Sequence, residues 1–299
     1  MVEKKPNFIV VGAMKAATTS LYTYLKQHPE IFMTKVKEPM FFNNFKQENK
    51  YKILGKKSKK PTTLKEYLAR FDDVKNEKAI GEASPAYIYN PQAPQLIKDH
   101  LSNVKIIAIL RQPTDRAYSN YLHTKRADRE DAATFQEAIE LENKRIKDNW
   151  SPLYHYIEKG YYSVQLKRYF DLFSEKNIKI YLFEDVVKNT KETLKDIFKF
   201  LEVDENVEID TSKKANVSGN PSGLMGWVLK KMRYYNLMPK FAISYYLPKF
   251  IMELIFKSVY KPIEKLNEDS RRDITERYYK GEIRSLEKLI DRDLSSWLS

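Results

Sequence analysis

The stretch NFIVVGAMKAATTSLYTYL, residues 7–25, opens on a short apolar run from Phe8 to Val11, breaks at Gly12, and resumes with Leu21, Tyr22 and Leu25 at helical spacing. An apolar run too short for a helix, a tight loop and then a 3.6-residue period predict strand, loop and helix in that order. The pattern repeats further on: 105–110 predicts a buried strand, Arg111-Gln112-Pro113 a break, and 114–125 a helix. Strands that alternate with helices pack as a parallel sheet covered on both faces. Working outward, further strands are expected at 78–82 and 178–183, and helices near 63–71, 92–101, 134–148, 161–173 and 191–201. The fold class expected is α/β, three layers around a central parallel sheet.

Composition narrows the chemistry. The 299 residues contain no cysteine, which excludes a disulfide scaffold, thiolate metal sites and a cysteine nucleophile. With 53 Lys+Arg against 40 Asp+Glu the formal charge is +13, which calls for an anionic partner without saying which. No apolar run approaches the roughly 20 residues that span a bilayer, and the start of the chain lacks the pattern of a signal peptide, so a cytoplasmic location is expected.

The organisation expected is one domain over 1–299: an α/β core at 1–205, a helical segment at 206–265 and C-terminal helices at 266–299 that pack on the core. Lys46–Lys60 reads as a basic surface loop. From 223 to 261 aromatic and aliphatic residues mix with lysines and Arg233, which fits either a flap over an acceptor cleft or a membrane-surface segment.

Four segments carry candidate chemistry. In the loop from Gly12 to Ser20, free amides and the positive end of a helix meet Lys15 and the hydroxyls of Thr18, Thr19 and Ser20, an arrangement suited to a phosphate-like ligand. The triphosphate pattern would need Gly at 17 and Lys at 18, where Ala17 and Thr18 stand, and the dinucleotide pattern has only Gly12. A hydroxyl-capped helix beside an exposed lysine is the plain alternative. Arg111, at a strand's carboxyl end, and Ser119, eight residues on, could reach one phosphate; the alternative is a surface ion pair and an idle hydroxyl. Glu38, fixed by Pro39 beside Lys37, could serve as a general base or merely pair with its neighbours. Glu82 and Tyr87, in Gly81–Tyr87, add a carboxylate and an aromatic at another strand end, or form a plain turn.

With these segments in this order, the chain resembles the sulfotransferases that use 3′-phosphoadenosine 5′-phosphosulfate (PAPS), and within them the heparan-sulfate and bacterial glycan branch. The likeness runs through PNFIVVGAMKAATTSLYTYL, KEPMFF, GEASPAYIY, IIAILRQPTDRAYSNY, residues 160–203, NVSGNP at 216–221 and IDRDLSSWL near the end. The resemblance implies a nucleotide-kinase-like fold in which Lys15, Ala16, Ala17, Thr18, Thr19 and Ser20 hold the 5′-phosphosulfate. It further implies that Arg111 and Ser119 hold the 3′-phosphate, that Glu38 is the base, and that Lys15 neutralises the leaving phosphate. Adenosine 3′,5′-bisphosphate (PAP) would be the product, with no metal required. Further contacts to cofactor or acceptor are expected from Lys37, Glu82, Tyr87, Asn216, Ser218 and Gly219. Met40 and Ala83 stand where several heparan-sulfate enzymes have histidine and lysine, so the likeness is stronger on the donor side than on the acceptor side.

The expected partner is an acceptor hydroxyl or amine on a glycan, glycolipid or small metabolite, without nucleic acid or transmembrane segment; peripheral membrane contact and the oligomeric state stay open. Two other readings are kept: a P-loop-like phosphotransferase, and a basic nucleic-acid-binding protein on a degenerate enzyme fold.

Overall fold

The computed structural model describes residues 4–44, 61–101, 103–212, 219–221, 260–262 and 265–299. The chain divides into two compact units, 1–215 with 267–299, and 216–266.

The first unit is built on β1 (Phe8–Gly12), β2 (Ile31–Met33), β3 (Ala79–Ala83), β4 (Lys105–Leu110) and β5 (Ile178–Leu182), all parallel, in the spatial order β2-β3-β1-β4-β5. The central strands are buried along their length because helices cover both faces, which is why their sequences are continuous apolar runs rather than alternating ones. Phe8 pairs with Gly81 of β3, and a Cβ at 81 would stand 2.3 Å from the Phe8 ring, so glycine is the residue this contact admits. The edge strand β5 shows its position chemically: Lys179 and Tyr181 are bound by Asp196 at 3.1 and 2.7 Å.

Helices follow as α1 (Thr18–Leu25), α2 (Phe41–Asn44), α3 (Leu64–Leu68), α4 (Ala93–His100), α5 (Pro113–Arg126), α6 (Phe135–Lys147), α7 (Tyr162–Phe170), α8 (Phe183–Lys188), α9 (Thr190–Leu201), α10 (Glu268–Ile274) and α11 (Lys280–Ile290). A π-helical turn, Thr275–Tyr279, joins the last two. Local chemistry fixes their starts: Thr63 and Glu66 form a capping box on α3, and Gln112 caps α5 by accepting from the Asp115 amide at 2.7 Å, with Pro113 first in the helix. Gln112 also ties down the C-terminal helices, donating to Thr275 Oγ1 at 2.9 Å and to the Trp297 carbonyl at 3.2 Å.

The strand order locates the functional end. From β1 the chain crosses to one side, to β2, and from β4 it crosses to the other, to β5. The connections therefore diverge at the carboxyl ends of β1 and β4, and a crevice opens there where ligands of open α/β sheets bind. Expected helix over 206–265 is not seen where that segment is described: 206–212 is irregular, and Gly219–Pro221 (β6) pairs antiparallel with Tyr260–Pro262 (β7) in the second unit. The basic loop at 46–60 lies outside the described residues, as does 223–261 apart from the start of β7.

Candidate active site

The loop from Ala13 to Ala17 leaves β1 with its first amide bonded to Ile109 O of β4 at 2.7 Å. Lys15 and Ala17 both take left-handed backbone, at φ 69° and 59°. That conformation is uncommon away from glycine, asparagine and aspartate, and alternating it with ordinary residues turns successive amides toward one point, the geometry of an anion-binding nest. Gly12 gives the loop its close seat on the neighbouring segment: a Cβ there would lie 2.5 Å from Ile88 Cγ2. Ala17 occupies the N-cap position of α1 with no side-chain cap bond, so the hydroxyl-capped helix that the sequence also allowed is not what forms. The helix start is presented uncapped beside Lys15, as an anion site requires.

Lys15 is the electrostatic centre. Burial first, then Arg126 and Arg111, push its ammonium down from 10.5 to about 8, while Glu38 pulls the other way. Arg111 donates from Nη1 to the Lys15 carbonyl at 3.3 Å and packs its guanidinium over Phe183, 4.7 Å from the ring centroid. The Tyr162 hydroxyl donates to the Arg111 carbonyl at 3.0 Å and holds that backbone. Ser119 is half-buried on α5, and one and two turns on, the same helix face carries His123 and Arg126. Desolvation of its ring, then Lys15, Arg126 and Arg129, push His123 down to about 4, although the residue as a whole keeps exposed surface. Three cations from two loops and one helix thus crowd the site, with Glu38 acting on Lys15 and Asp115 and Glu184 on Arg111, an arrangement that fits an anionic ligand with separated charges.

Glu38 carries the carboxylate that acts on Lys15. Its amide bonds the Ala83 carbonyl at 3.2 Å, its φ is 58°, and its carboxylate accepts from Lys37 Nζ at 2.5 Å with 40% of the side chain exposed. Met40, just past Pro39, is also left-handed at φ 54°, and its amide donates to Ser84 Oγ at 3.0 Å. Ser84 in turn donates to Glu82 at 2.6 Å, and Glu82 also accepts from Tyr87 at 2.8 Å and Tyr67 at 3.2 Å.

Of the residues singled out from the sequence, the crevice brings together Lys15 with its loop, Arg111, Lys37 and Glu38. Ser119 stands on the helix face that carries Arg126. Glu82 and Tyr87 require correction as direct contacts: both are wholly buried, and their polar atoms are spent on each other, on Ser84, on Tyr67 and on the Phe42 amide. They support the Glu38 loop from behind. Asn216 and Ser218 lie outside the described residues, and Gly219 starts β6 in the second unit. Sequence reasoning missed Arg126, His123 and Phe183; the first two were legible as the positions four and seven beyond Ser119 on one helix, the third was not.

A parallel α/β sheet with a cationic loop at the β1–β4 crevice and a carboxylate acting on its lysine is an arrangement suited to group transfer. The sulfotransferase domain model matches residues 5–241, and the chain belongs to that family. It is 39% identical over 116 residues to the membrane-associated sulfotransferase kil1 of Dictyostelium discoideum, covering 39% of this chain and 22% of that protein. It is 28% identical over 208 residues to the bifunctional heparan sulfate N-deacetylase/N-sulfotransferase 4 of Mus musculus, covering 66% and 22%. The chain thus spans about a fifth of the length of these curated relatives. The crystal structure of a sulfotransferase from Alicyclobacillus acidocaldarius superposes with a TM-score of 0.77 at 30% identity over 99% of both chains. Among the described residues no helix is long and apolar enough to cross a membrane.

Proposed function

We propose that the protein transfers a sulfuryl group from PAPS to a hydroxyl or amine of an acceptor, with Glu38 as general base and Lys15 stabilising charge on the leaving phosphate. The observation that carries this is Lys15 itself: a desolvated ammonium in a left-handed loop, flanked by Arg111 and Arg126 and facing Glu38. PAPS supplies an activated sulfuryl group on a phosphate. The chain's part is to hold that phosphate on the loop amides, to neutralise charge with Lys15, and to take the acceptor's proton at a Glu38 oxygen. The Arg111 guanidinium, with Ser119 on the following helix, suits the second phosphate of the nucleotide, since a rigid fork of donors matches a phosphate's oxygens.

A glycan is the first acceptor to try, because a relative is named for heparan sulfate and the cationic rim of the crevice favours an acidic chain. A glycolipid at a membrane surface is the second, in keeping with the relative named as membrane-associated.

The test is calorimetric titration of PAP into the wild type, Lys15→Ala and Arg111→Ala. Saturable binding that both substitutions weaken by tenfold or more is expected. Binding of ATP with Mg²⁺ in place of PAP would instead support phosphoryl transfer, and no binding of either would overturn the donor assignment.

A further inference from the structure

Residues 38–40 form a turn with unfavourable backbone. Glu38 and Met40 are left-handed at φ 58° and 54°, and neither residue type adopts that conformation unless its surroundings hold it there. Pro39 has no amide hydrogen, so the turn offers only the N–H groups of Glu38 and Met40, and the end of β3 takes both. The Glu38 amide donates to the Ala83 carbonyl at 3.2 Å, and the Met40 amide donates to Ser84 Oγ at 3.0 Å.

Of these two holds, the second depends on a side chain. Ser84 is 0% exposed, and its hydroxyl donates to Glu82 at 2.6 Å, which leaves an oxygen lone pair for the Met40 amide. Glu82 is steadied in turn by Tyr87 at 2.8 Å and Tyr67 at 3.2 Å, and the Tyr87 hydroxyl accepts the Phe42 amide at the start of α2. Ser84 also reaches the donor side: its own amide donates at 3.1 Å to the carbonyl of Val10, in the strand that leads into the Lys15 loop. One residue is thus bound through its backbone to the strand of Lys15 and through its side chain to the turn of Glu38, whose charge Lys15 feels.

We propose that Ser84 is a positioning residue for sulfuryl transfer: its hydroxyl, oriented by Glu82, sets where the Glu38 carboxylate stands relative to the Lys15 loop. The kinetic consequence rests on Glu38 being the base; the placement does not. Ser84→Ala separates the two attachments, because it keeps the backbone bond to Val10 and removes only the bond to Met40. The donor loop should stay and the base should move, and a misplacement of about 1 Å at a reacting group costs up to about 100-fold in rate.

Three measurements on the full chain test this. Crystal structures of the wild type and Ser84→Ala are expected to agree at the Lys15 loop and to part at Glu38–Met40, with the carboxylate displaced by about 1 Å or more. Calorimetry is expected to give PAP affinities within about twofold of each other. Release of PAP from PAPS is then followed with water, or a heparan-type polysaccharide bearing free amines, as acceptor. Ser84→Ala is expected to lower kcat by about 10- to 100-fold with the KM for PAPS retained. In the Glu38→Gln background the same change should alter kcat by less than about twofold, since Ser84 acts through Glu38. A residue that only stabilises the fold would slow both backgrounds alike. An unmoved turn in Ser84→Ala overturns the proposal, and so does an equal loss of turnover in the two backgrounds. Wild-type turnover in Glu38→Gln would instead remove Glu38 as base, and the crystal comparison would still decide whether Ser84 places it; that comparison also decides if neither acceptor is turned over. Should Ser84→Ala fail to fold, Ser84→Cys, which sets a weaker acceptor in nearly the same space, goes through the same measurements.

Discussion

Replacing Glu82 by glutamine should change how stability depends on pH, and the size of the change follows from burial. The Glu82 carboxyl is 0% exposed, and desolvation pushes it up from 4.5 to about 7 even though Ser84, Tyr87 and Tyr67 all donate to it. The folded chain therefore holds this proton at pH values where the unfolded chain has released it. Protonation linkage gives stability that is fully present below about pH 4.5 and falls as pH rises toward 7, then levels off. At 1.36 kcal/mol per pH unit, that window amounts to about 3 kcal/mol. Glutamine does not titrate, so its variant lacks this fall. It carries a fixed cost of about 1–3 kcal/mol for facing an amide N–H toward one of three hydroxyl donors.

The wild-type and Glu82→Gln stabilities should thus converge as pH rises. The variant is the weaker at pH 4.5, and it gains on the wild type by about 3 kcal/mol by pH 8. Urea unfolding of both proteins across this range measures the difference, and titrations elsewhere in the chain cancel. Curves that stay parallel would refute a buried, proton-holding Glu82. The same substitution perturbs the Ser84 hydroxyl that receives the Met40 amide, so turnover should fall while PAP affinity stays near that of the wild type.

Glu38→Gln should leave folding intact, since the side chain is 40% exposed, and should lower turnover by about 10²–10⁴ with PAP affinity unchanged; wild-type rates in a folded variant would remove Glu38 as base. PAP affinity should decline as pH rises through about 8, where the Lys15 ammonium of the free enzyme loses its proton, and Lys15→Arg should move that decline to higher pH. A flat affinity between pH 7 and 9.5 would show that the charge on Lys15 does not hold the nucleotide. Gly81→Ala forces a methyl to within 2.3 Å of the Phe8 ring and should cost about 1–3 kcal/mol in urea unfolding, part of it recovered when Phe8 is shortened to leucine. Unchanged stability would contradict the packing of β1 against β3.

The parallel sheet was legible because its strands are buried on both faces and their runs are unbroken: 105–110 matches β4 residue for residue, and 78–82 differs from β3 by one position. Ile31–Met33 escaped, since three residues at the sheet's edge make no period of their own. The loop's candidate residues were legible in composition, but its shape was not. Left-handed backbone at Lys15, Ala17, Glu38 and Met40 falls on residues that do not ordinarily adopt it, so propensity argued against it at each position. What imposes it is tertiary: the bonds of Ala13 to Ile109, Glu38 to Ala83 and Met40 to Ser84 tie these loops to neighbouring strand ends. Glu82 was misplaced for a related reason. A carboxylate at a strand end reads as available, and only the packing of Tyr67, Tyr87 and Ser84 around it shows that it faces inward.

That tertiary origin also accounts for how the Lys15 loop and the Glu38 segment come to lie at one crevice. In the order β3-β1-β4, the loop after β1 lies between the ends of its two neighbours. The β4 end supplies Arg111 and, through α5, Ser119, His123 and Arg126; the β3 end, by backbone bonds from Ala83 and a side-chain bond from Ser84, holds the segment that carries Glu38. Lys15, on the middle loop, is coupled to both: Arg126 and Arg111 lower its proton affinity and Glu38 raises it. If the nucleotide's phosphates occupy the β1 and β4 side, the sulfur on the 5′-phosphate points toward β3 and the proposed base Glu38, and the acceptor must approach from that edge. Acceptor specificity should then be carried by the β3-side segments, and exchanging residues 35–42 with those of a relative should alter acceptor choice while leaving PAP affinity within about twofold, a difference of less than about 0.5 kcal/mol. A chimera whose PAP affinity collapses while its acceptor range is retained would reverse this division of the crevice.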